Sequence, residues 1–199
     1  MKTLCVIPAR SGSKGIPNKN LRKIDGRTLV SHAVRHAILS RVFDYIYVST
    51  DSPLIAQEAE RAGGSAPILR PDKLSGDRVS DLEVLTHAVC AIEAHTRIRF
   101  NYVSMLQPTS PLRVVKETES CKEKIVRERL DTVMTVSPVD LKYHPLKQFR
   151  KTTEGNMELF SDEGKSVIAR QQLSQTFYRN GACYFFSREQ IMEKKSIYG

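Results

Sequence analysis

Residues 8–20, Pro-Ala-Arg-Ser-Gly-Ser-Lys-Gly-Ile-Pro-Asn-Lys-Asn, carry the densest chemistry in this chain. From Arg10 to Lys23 stand Arg10, Lys14, Lys19, Arg22 and Lys23, with no acid until Asp25. Gly12 and Gly15 let the backbone approach a ligand closely, and Pro17 stiffens the way out. Backbone N–H groups in such a loop form a concavity for anions, and the cations neutralise what binds there. The chemistry is that of holding a polyphosphate. Two familiar spacings do not occur. The P-loop needs four residues between its first Gly and Gly-Lys-Ser/Thr, and G-x-G-x-x-G needs a glycine ahead of Gly12 and Gly15.

Further polar groups gather in Ser49-Thr50-Asp51, at Arg70 and in Gln107-Pro-Thr-Ser-Pro-Leu-Arg113, whose two prolines fix a loop with few backbone donors. Asp51 reads as the residue that ends a strand and caps the next helix, although Asp51 and Asp77 are also acids that a hydrated metal could touch. His32 and His36 lie one helical turn apart without a third ligand, so they read as helix-surface or dimer-contact histidines. Glu189 and Glu193 share the same spacing and read as a solvent face. Phe43, Tyr45 and Tyr47 read as strand-packing residues.

The elements that must position these groups alternate. Thr3–Ile7 is an apolar run that reads as a buried strand opening directly into the basic loop. Leu29, Val30, Ala33, Val34, Ala37 and Ile38 recur at helical spacing through Arg41. Strands follow at Tyr45–Ser49, Ala66–Leu69, Tyr102–Leu106 and Thr132–Val136, interleaved with helices at Pro53–Ala62, Asp81–His95 and Val114–Arg129. Residues 138–175 break the rhythm, with a hairpin signal around Glu154-Gly155-Asn156, before a strand at Gly181–Phe186 and a helix at Arg188–Lys194. The pattern predicts an α/β fold, a doubly wound and mostly parallel sheet covered by helices on both faces. Residues 1–199 read as one domain, with 138–175 as an excursion from it. In such a sheet Arg10–Asn20, Ser49–Asp51, Arg70 and Gln107–Arg113 all follow strands, so they converge along the carboxyl edge where open α/β sheets bind ligands.

Bulk properties agree. The 199 residues are 40% hydrophobic and 27% charged, enough apolar material for a core. No apolar stretch approaches the roughly 18 residues of a membrane span, and the first residues read as a strand rather than a signal peptide. Cys5, Cys90, Cys121 and Cys183 form no C-x-x-C pair and read as thiols of a reducing cytoplasm. The net charge of +9 invites a nucleic-acid reading, but small anionic substrates account for it at least as well. Lys116–Arg129 mixes bases with acids as a solvated helix face does, and no cluster interleaves bases with aromatics for nucleic acid.

Six ordered segments, IPARSGSKGIPNKNLR (7–22), VSTDSPLIA (48–56), LRPDKLSGD (69–77), LQPTSPLR (106–113), HPLK (144–147) and RQQLSQTFYRNGACY (170–184), resemble the acylneuraminate cytidylyltransferases. The resemblance implies a nucleotide-diphospho-sugar transferase-like fold. It also implies transfer of CMP from CTP to the anomeric hydroxyl of a nine-carbon 2-keto sugar acid, with release of pyrophosphate and use of Mg²⁺. By position, Arg10, Ser13, Lys14, Lys19 and Asn20 would hold the triphosphate, Arg10 and Lys19 nearest the reacting phosphate, and Arg70 would contact the nucleotide. Gln107 would face the sugar and Tyr184 would line its pocket. A homodimer through 138–175 is implied too, with Lys147 and Arg170 reaching the partner's sugar carboxylate, for which an arginine has the matching fork.

The related deoxy-octulosonate enzymes carry an acid near the position of Gln107, which favours the nine-carbon branch. Neuraminic, legionaminic and pseudaminic acids stay open as acceptors. Family members continue into an Asp-x-Asp segment that holds magnesium. This sequence stops at Ile197-Tyr198-Gly199, so it reads as truncated and its metal ligands are left unassigned. A non-catalytic CTP-binding homologue and a sugar-phosphate nucleotidyltransferase are the alternatives.

Overall fold

The computed structural model describes Met1–Gly199 in full. In chain order the regular elements are β1 (Thr3–Pro8), β2 (Lys23–Ile24), β3 (Arg27–Thr28), α1 (Leu29–Ser40), β4 (Tyr45–Ser49), α2 (Pro53–Arg61) and α3 (Asp81–Thr96). They continue with β5 (Tyr102–Met105), α4 (Val115–Arg127), β6 (Thr132–Pro138), β7 (Phe149–Lys151), β8 (Met157–Leu159), β9 (Phe177–Ser187) and α5 (Arg188–Met192). By contact density the chain divides into two compact units, one of residues 1–135 with 181–199 and one of residues 136–180.

The first unit is built on a five-stranded sheet in the order β4-β1-β5-β9-β6. β1 runs parallel to both β4 and β5, and β9 is antiparallel to β5, so the mostly parallel α/β sheet expected from the sequence is the one observed. Alternation along β1 divides its side chains between two cores. Cys5 and Ile7 pack with Val30, Val34, Ile55 and Ile125 from α1, α2 and α4, whereas Leu4 and Val6 pack with Leu85, Val89 and Ile191 from α3 and α5. With both faces covered, β1 has no exposed side and reads as a continuous apolar run.

Helix starts follow capping chemistry. Thr28 and Ser52 cap α1 and α2 by accepting the Ser31 and Ile55 N–H groups, and Pro53 stands at the first turn of α2. Ser80 and Glu83 form a reciprocal capping box at α3.

Several expectations need correcting. Residues 66–69 are not a strand; one bridge joins Tyr47 and Ser65, and Pro67, which has no N–H to donate, interrupts any ladder beyond it. Tyr47 holds this segment instead, its hydroxyl donating to the Ile68 carbonyl at 2.7 Å. β9 is longer than the apolar core of its sequence indicates. His36 is not a surface histidine: it is 8% exposed and its Nε2 meets Thr118 Oγ1 of α4 at 2.8 Å. His32 pairs separately with the Ile24 carbonyl, so the two histidines share no ligand.

In the second unit β7 and β8 form the expected antiparallel hairpin, Phe149 opposite Leu159, with Gly155 at φ 91° in its turn. His144 caps a short turn there by accepting the Leu146 N–H.

Candidate active site

The basic loop is fastened at both ends. The Ser11 N–H and hydroxyl donate to the two carboxylate oxygens of Asp51 at 2.9 and 2.7 Å. Asp51 is therefore a tie between the loops after β1 and β4, and the helix cap is Ser52. Further along, buried Asn20 donates from Nδ2 to the Arg10 carbonyl at 2.9 Å. The loop closes back on its own start, which fixes Arg10 and Lys19 on one side of it.

Arg70 is 4% exposed and comes from the segment that Tyr47 anchors. Its N–H donates to the Thr50 carbonyl at 2.7 Å, and its Nε donates to Ser75 Oγ at 3.2 Å. Burial draws its guanidinium below the ordinary arginine range and nearby Arg10 adds to the effect, while Asp51 opposes both. No carboxylate pairs with it directly, and its side-chain bond is the one from Nε to the Ser75 hydroxyl.

Asp77 gathers the cations. Its Oδ1 is 2.6 Å from Arg10 Nη2 and its Oδ2 is 2.5 Å from Lys14 Nζ. Hydrogen bonds from Lys14 and Arg10 hold the Asp77 carboxyl below the usual carboxylate range. Arg10 also donates from Nη1 to the Ser75 carbonyl at 3.4 Å.

These pieces enclose one open cleft of about 240 Å³ at the carboxyl edge of the sheet. Arg10, Ser13, Lys19, Asn20, Arg70 and Gln107 all line it, and Gly76, Asp77, Val79 and Asp81 complete the wall. Of the four groups expected to converge, the basic loop, Arg70 and Gln107 share this cleft, whereas Ser49–Asp51 do not line it and Arg70 comes from an irregular segment rather than from a strand end. Lys14 reaches toward the cleft only through Asp77 and is otherwise exposed. Tyr184 does not line the cleft. It is 6% exposed, stacked on Phe186 at 6.3 Å and packed on the Leu4/Val6 side of the sheet, because residue 184 of β9 points to that face. Lys147 and Arg170 lie in the second unit, where they line a cavity of about 240 Å³ with Leu146, Phe149, Leu159 and Leu173.

No three His, Cys, Asp or Glu side chains are grouped to enclose a metal ion. Asp77 and Asp81 are the acids on the cleft wall. Magnesium is usually held by one or two carboxylates together with substrate phosphate and water, and two wall carboxylates suit that mode. Asp51 is not among the lining residues, and both of its oxygens accept from Ser11.

Sequence reasoning misses two residues at this site. Arg113 and Gly181 lie behind Gln107 and control its surroundings, as described below. Arg113 ends a segment that the sequence does single out, but nothing in its spacing shows which way the guanidinium turns.

A ligand cleft at the carboxyl edge of a doubly wound sheet, lined by a basic loop, defines a nucleotide-binding α/β protein. The family profile described as cytidylyltransferase matches residues 4–198, and the chain belongs to that family. It is 34% identical over 201 residues to a CMP-N,N'-diacetyllegionaminic acid synthase of Legionella pneumophila, covering 100% of this chain and 83% of that protein. A pseudaminic acid cytidylyltransferase of Campylobacter jejuni is 29% identical, with 100% and 84% covered. An N-acylneuraminate cytidylyltransferase of Streptococcus agalactiae is 31% identical, but this chain spans only 46% of it. Among solved structures, a CMP:2-keto-3-deoxy-manno-octonic acid synthetase complexed with CTP superposes with a TM-score of 0.70 over 96% of this chain and 76% of that one. At 20% identity, that likeness establishes the shared fold.

Proposed function

We propose that this protein transfers CMP from CTP to the anomeric hydroxyl of a nine-carbon 2-keto sugar acid, giving the CMP-sugar and pyrophosphate. One observation carries the reading: Arg10, Ser13, Lys19, Asn20 and Arg70 share a single cleft with Gln107, a polar side chain that bears no charge. A polyphosphate needs the first five, and a polyhydroxylated acceptor beside it needs a neutral hydrogen-bonding group such as the sixth.

Arg10 and Lys19 stabilise charge as it develops on the reacting phosphate, Ser13, Lys14 and Asn20 help seat the triphosphate, and Arg70 contacts the nucleotide. Displacement of Asp77 by phosphate would release both Arg10 and Lys14 for this task. Magnesium, when bound with the nucleotide, supplies further neutralisation of the phosphates, and Asp77 and Asp81 are the carboxylates that would share it. Gln107 faces the sugar. Tyr184, packed in the core, supports the strand behind that pocket rather than touching the acceptor.

Pseudaminic, legionaminic and neuraminic acids are the candidate acceptors, in line with the names of the relatives. The protein works as a cytoplasmic homodimer through the second unit, whose exposed Phe149, Met157, Phe160 and Tyr143 are apolar groups for a partner to cover. Lys147 and Arg170 would there meet the partner's sugar carboxylate.

The test is pyrophosphate release from CTP and Mg²⁺ with each of the three acids in turn. Release with one of them supports the reading, and Lys19→Ala should then weaken CTP binding by about tenfold or more. Tight CTP binding without release from any acid would instead identify a non-catalytic CTP-binding homologue. Turnover with hexose 1-phosphates would make the protein a sugar-phosphate nucleotidyltransferase.

A further inference from the structure

Arg113 is a partly buried cation without an anion. Its Nη2 donates to the Gln107 carbonyl at 2.7 Å and its Nε donates to the Ala182 carbonyl. The groups that bear on it electrostatically are the thiols of Cys5 and Cys183, and no aspartate or glutamate is among them. Removing a guanidinium from water without a carboxylate is costly, so two backbone carbonyls are an expensive pair of acceptors. The cost makes sense only if what the fork joins has to be joined.

It joins the loop after β5 to β9, and three more contacts converge on the same place. Ser110 Oγ donates to the Gly181 carbonyl at 3.1 Å, and the Ser110 N–H donates to the Gln107 carbonyl at 3.2 Å. From α1, the His36 ring bonds to the backbone of Arg113. Gly181 has φ 74°, and a Cβ built there would sit 3.1 Å from Gln107 Oε1. The Gln107 carboxamide thus lies against a backbone that only glycine leaves bare, while the main-chain carbonyl of Gln107 is clamped by Arg113.

We propose that Arg113, with Gly181 as its steric counterpart, is the positioning residue for Gln107, setting where the carboxamide meets the acceptor in the cleft. The part of this that concerns the acceptor rests on the function proposed above. A lysine keeps the charge at this position but not the fork, since one ammonium is a point donor and cannot hold two carbonyls in a fixed plane.

The experiment compares wild type, Arg113→Lys, Gln107→Ala and the double variant, by steady-state kinetics and by the side-chain amide resonance of Gln107, assigned from its loss in Gln107→Ala. Arg113→Lys should raise the KM for the sugar acid about tenfold and leave CTP affinity within about twofold. In the Gln107→Ala background it should add less than about twofold, because the group it positions is gone. The Gln107 amide resonance should shift or broaden in Arg113→Lys even without substrate. An unchanged resonance, fully additive effects, or equal weakening of CTP and sugar acid overturns the proposal. Should Arg113→Lys fail to fold, Gly181→Ala serves instead: its methyl group presses on the carboxamide and should give the same acceptor-selective rise in KM. A wild type that turns over no sugar acid, while the resonance still moves in the variants, refutes the assigned reaction and supports the positioning.

Discussion

His36 should make the fold sensitive to mild acid. The ring is 8% exposed, meets Thr118 Oγ1 at 2.8 Å and lies near the Arg113 guanidinium. Burial, reinforced by that cation, lowers its pKa from 6.5 to about 4, although the hydrogen bond to the Arg113 backbone opposes the change. The folded-state value is the depressed one. The contribution of the neutral ring is therefore complete above pH 6.5 and is lost as pH falls toward 4, because the unfolded chain takes up a proton that the folded one refuses. Between those limits the linkage is about 1.4 kcal/mol per pH unit. By pH 5 wild type should have lost about 2 kcal/mol relative to pH 8, and the ceiling below pH 4 is about 3 kcal/mol. For a chain of this size, 2 kcal/mol corresponds to a fall in Tm of about 4–8 °C. The assay is urea unfolding of wild type and His36→Gln at pH 8, 6 and 5, the amide still being able to reach Thr118. The variant should be less stable at pH 8, and the gap should narrow by about 2 kcal/mol at pH 5. Parallel pH curves, or a gap that widens on acidification, would refute the reasoning.

Three other changes follow from the site and its supports. Asp77→Asn releases Arg10 and Lys14 from their shared counter-charge, so tripolyphosphate should bind more tightly than to wild type, with a steeper dependence on salt in calorimetric titrations; weaker binding would mean that Asp77 is not an internal stand-in for phosphate. Ser80→Ala removes the cap that accepts the Glu83 N–H at 3.2 Å, and should cost about 1 kcal/mol in chemical denaturation. Tyr47→Phe leaves the Ile68 carbonyl without its 2.7 Å donor; the expected result is a loss of about 1–3 kcal/mol and, since Arg70 is two residues on, a rise in the Kd for CTP measured by calorimetry.

How much of this was legible in the sequence varies by element. The βα alternation was readable because buried parallel strands are unbroken apolar runs, as Leu4–Ile7 is, and helices such as α1 show their 3.6-residue period. Convergence of the basic loop and Gln107 followed from strand direction, whereas Arg70 reaches the same cleft from a segment that is no strand. What could not be read depends on contacts between distant residues. His36 looks like a surface residue until Thr118, 82 positions away, is seen beside it. Asp51 stands next to a helix start, as a cap would, but Ser11 lies across the sheet edge and takes both carboxylate oxygens. Tyr184 alternates with Cys183 and Phe185, which pack in the opposite core, and in a strand one residue reverses the face. Residues 66–69 are apolar enough to suggest a strand, but Pro67 has no N–H to give a ladder.

The placing of β9 also bears on how the chain reaches this state. β9 follows β6 in sequence, yet it occupies the slot between β5 and β6. Until residues 177–187 are made, β5 lacks its second neighbour and β6 has no partner in the sheet, and Cys183, Phe185 and Phe186 are missing from the two cores. Completing the sheet therefore requires β9 to pair with β5 across a long sequence separation, a closure that slows folding. On the ribosome, the nascent protein carries these unpaired strand edges for the time needed to synthesise more than forty residues after β6, and it is in that interval that misassociation between copies is favoured.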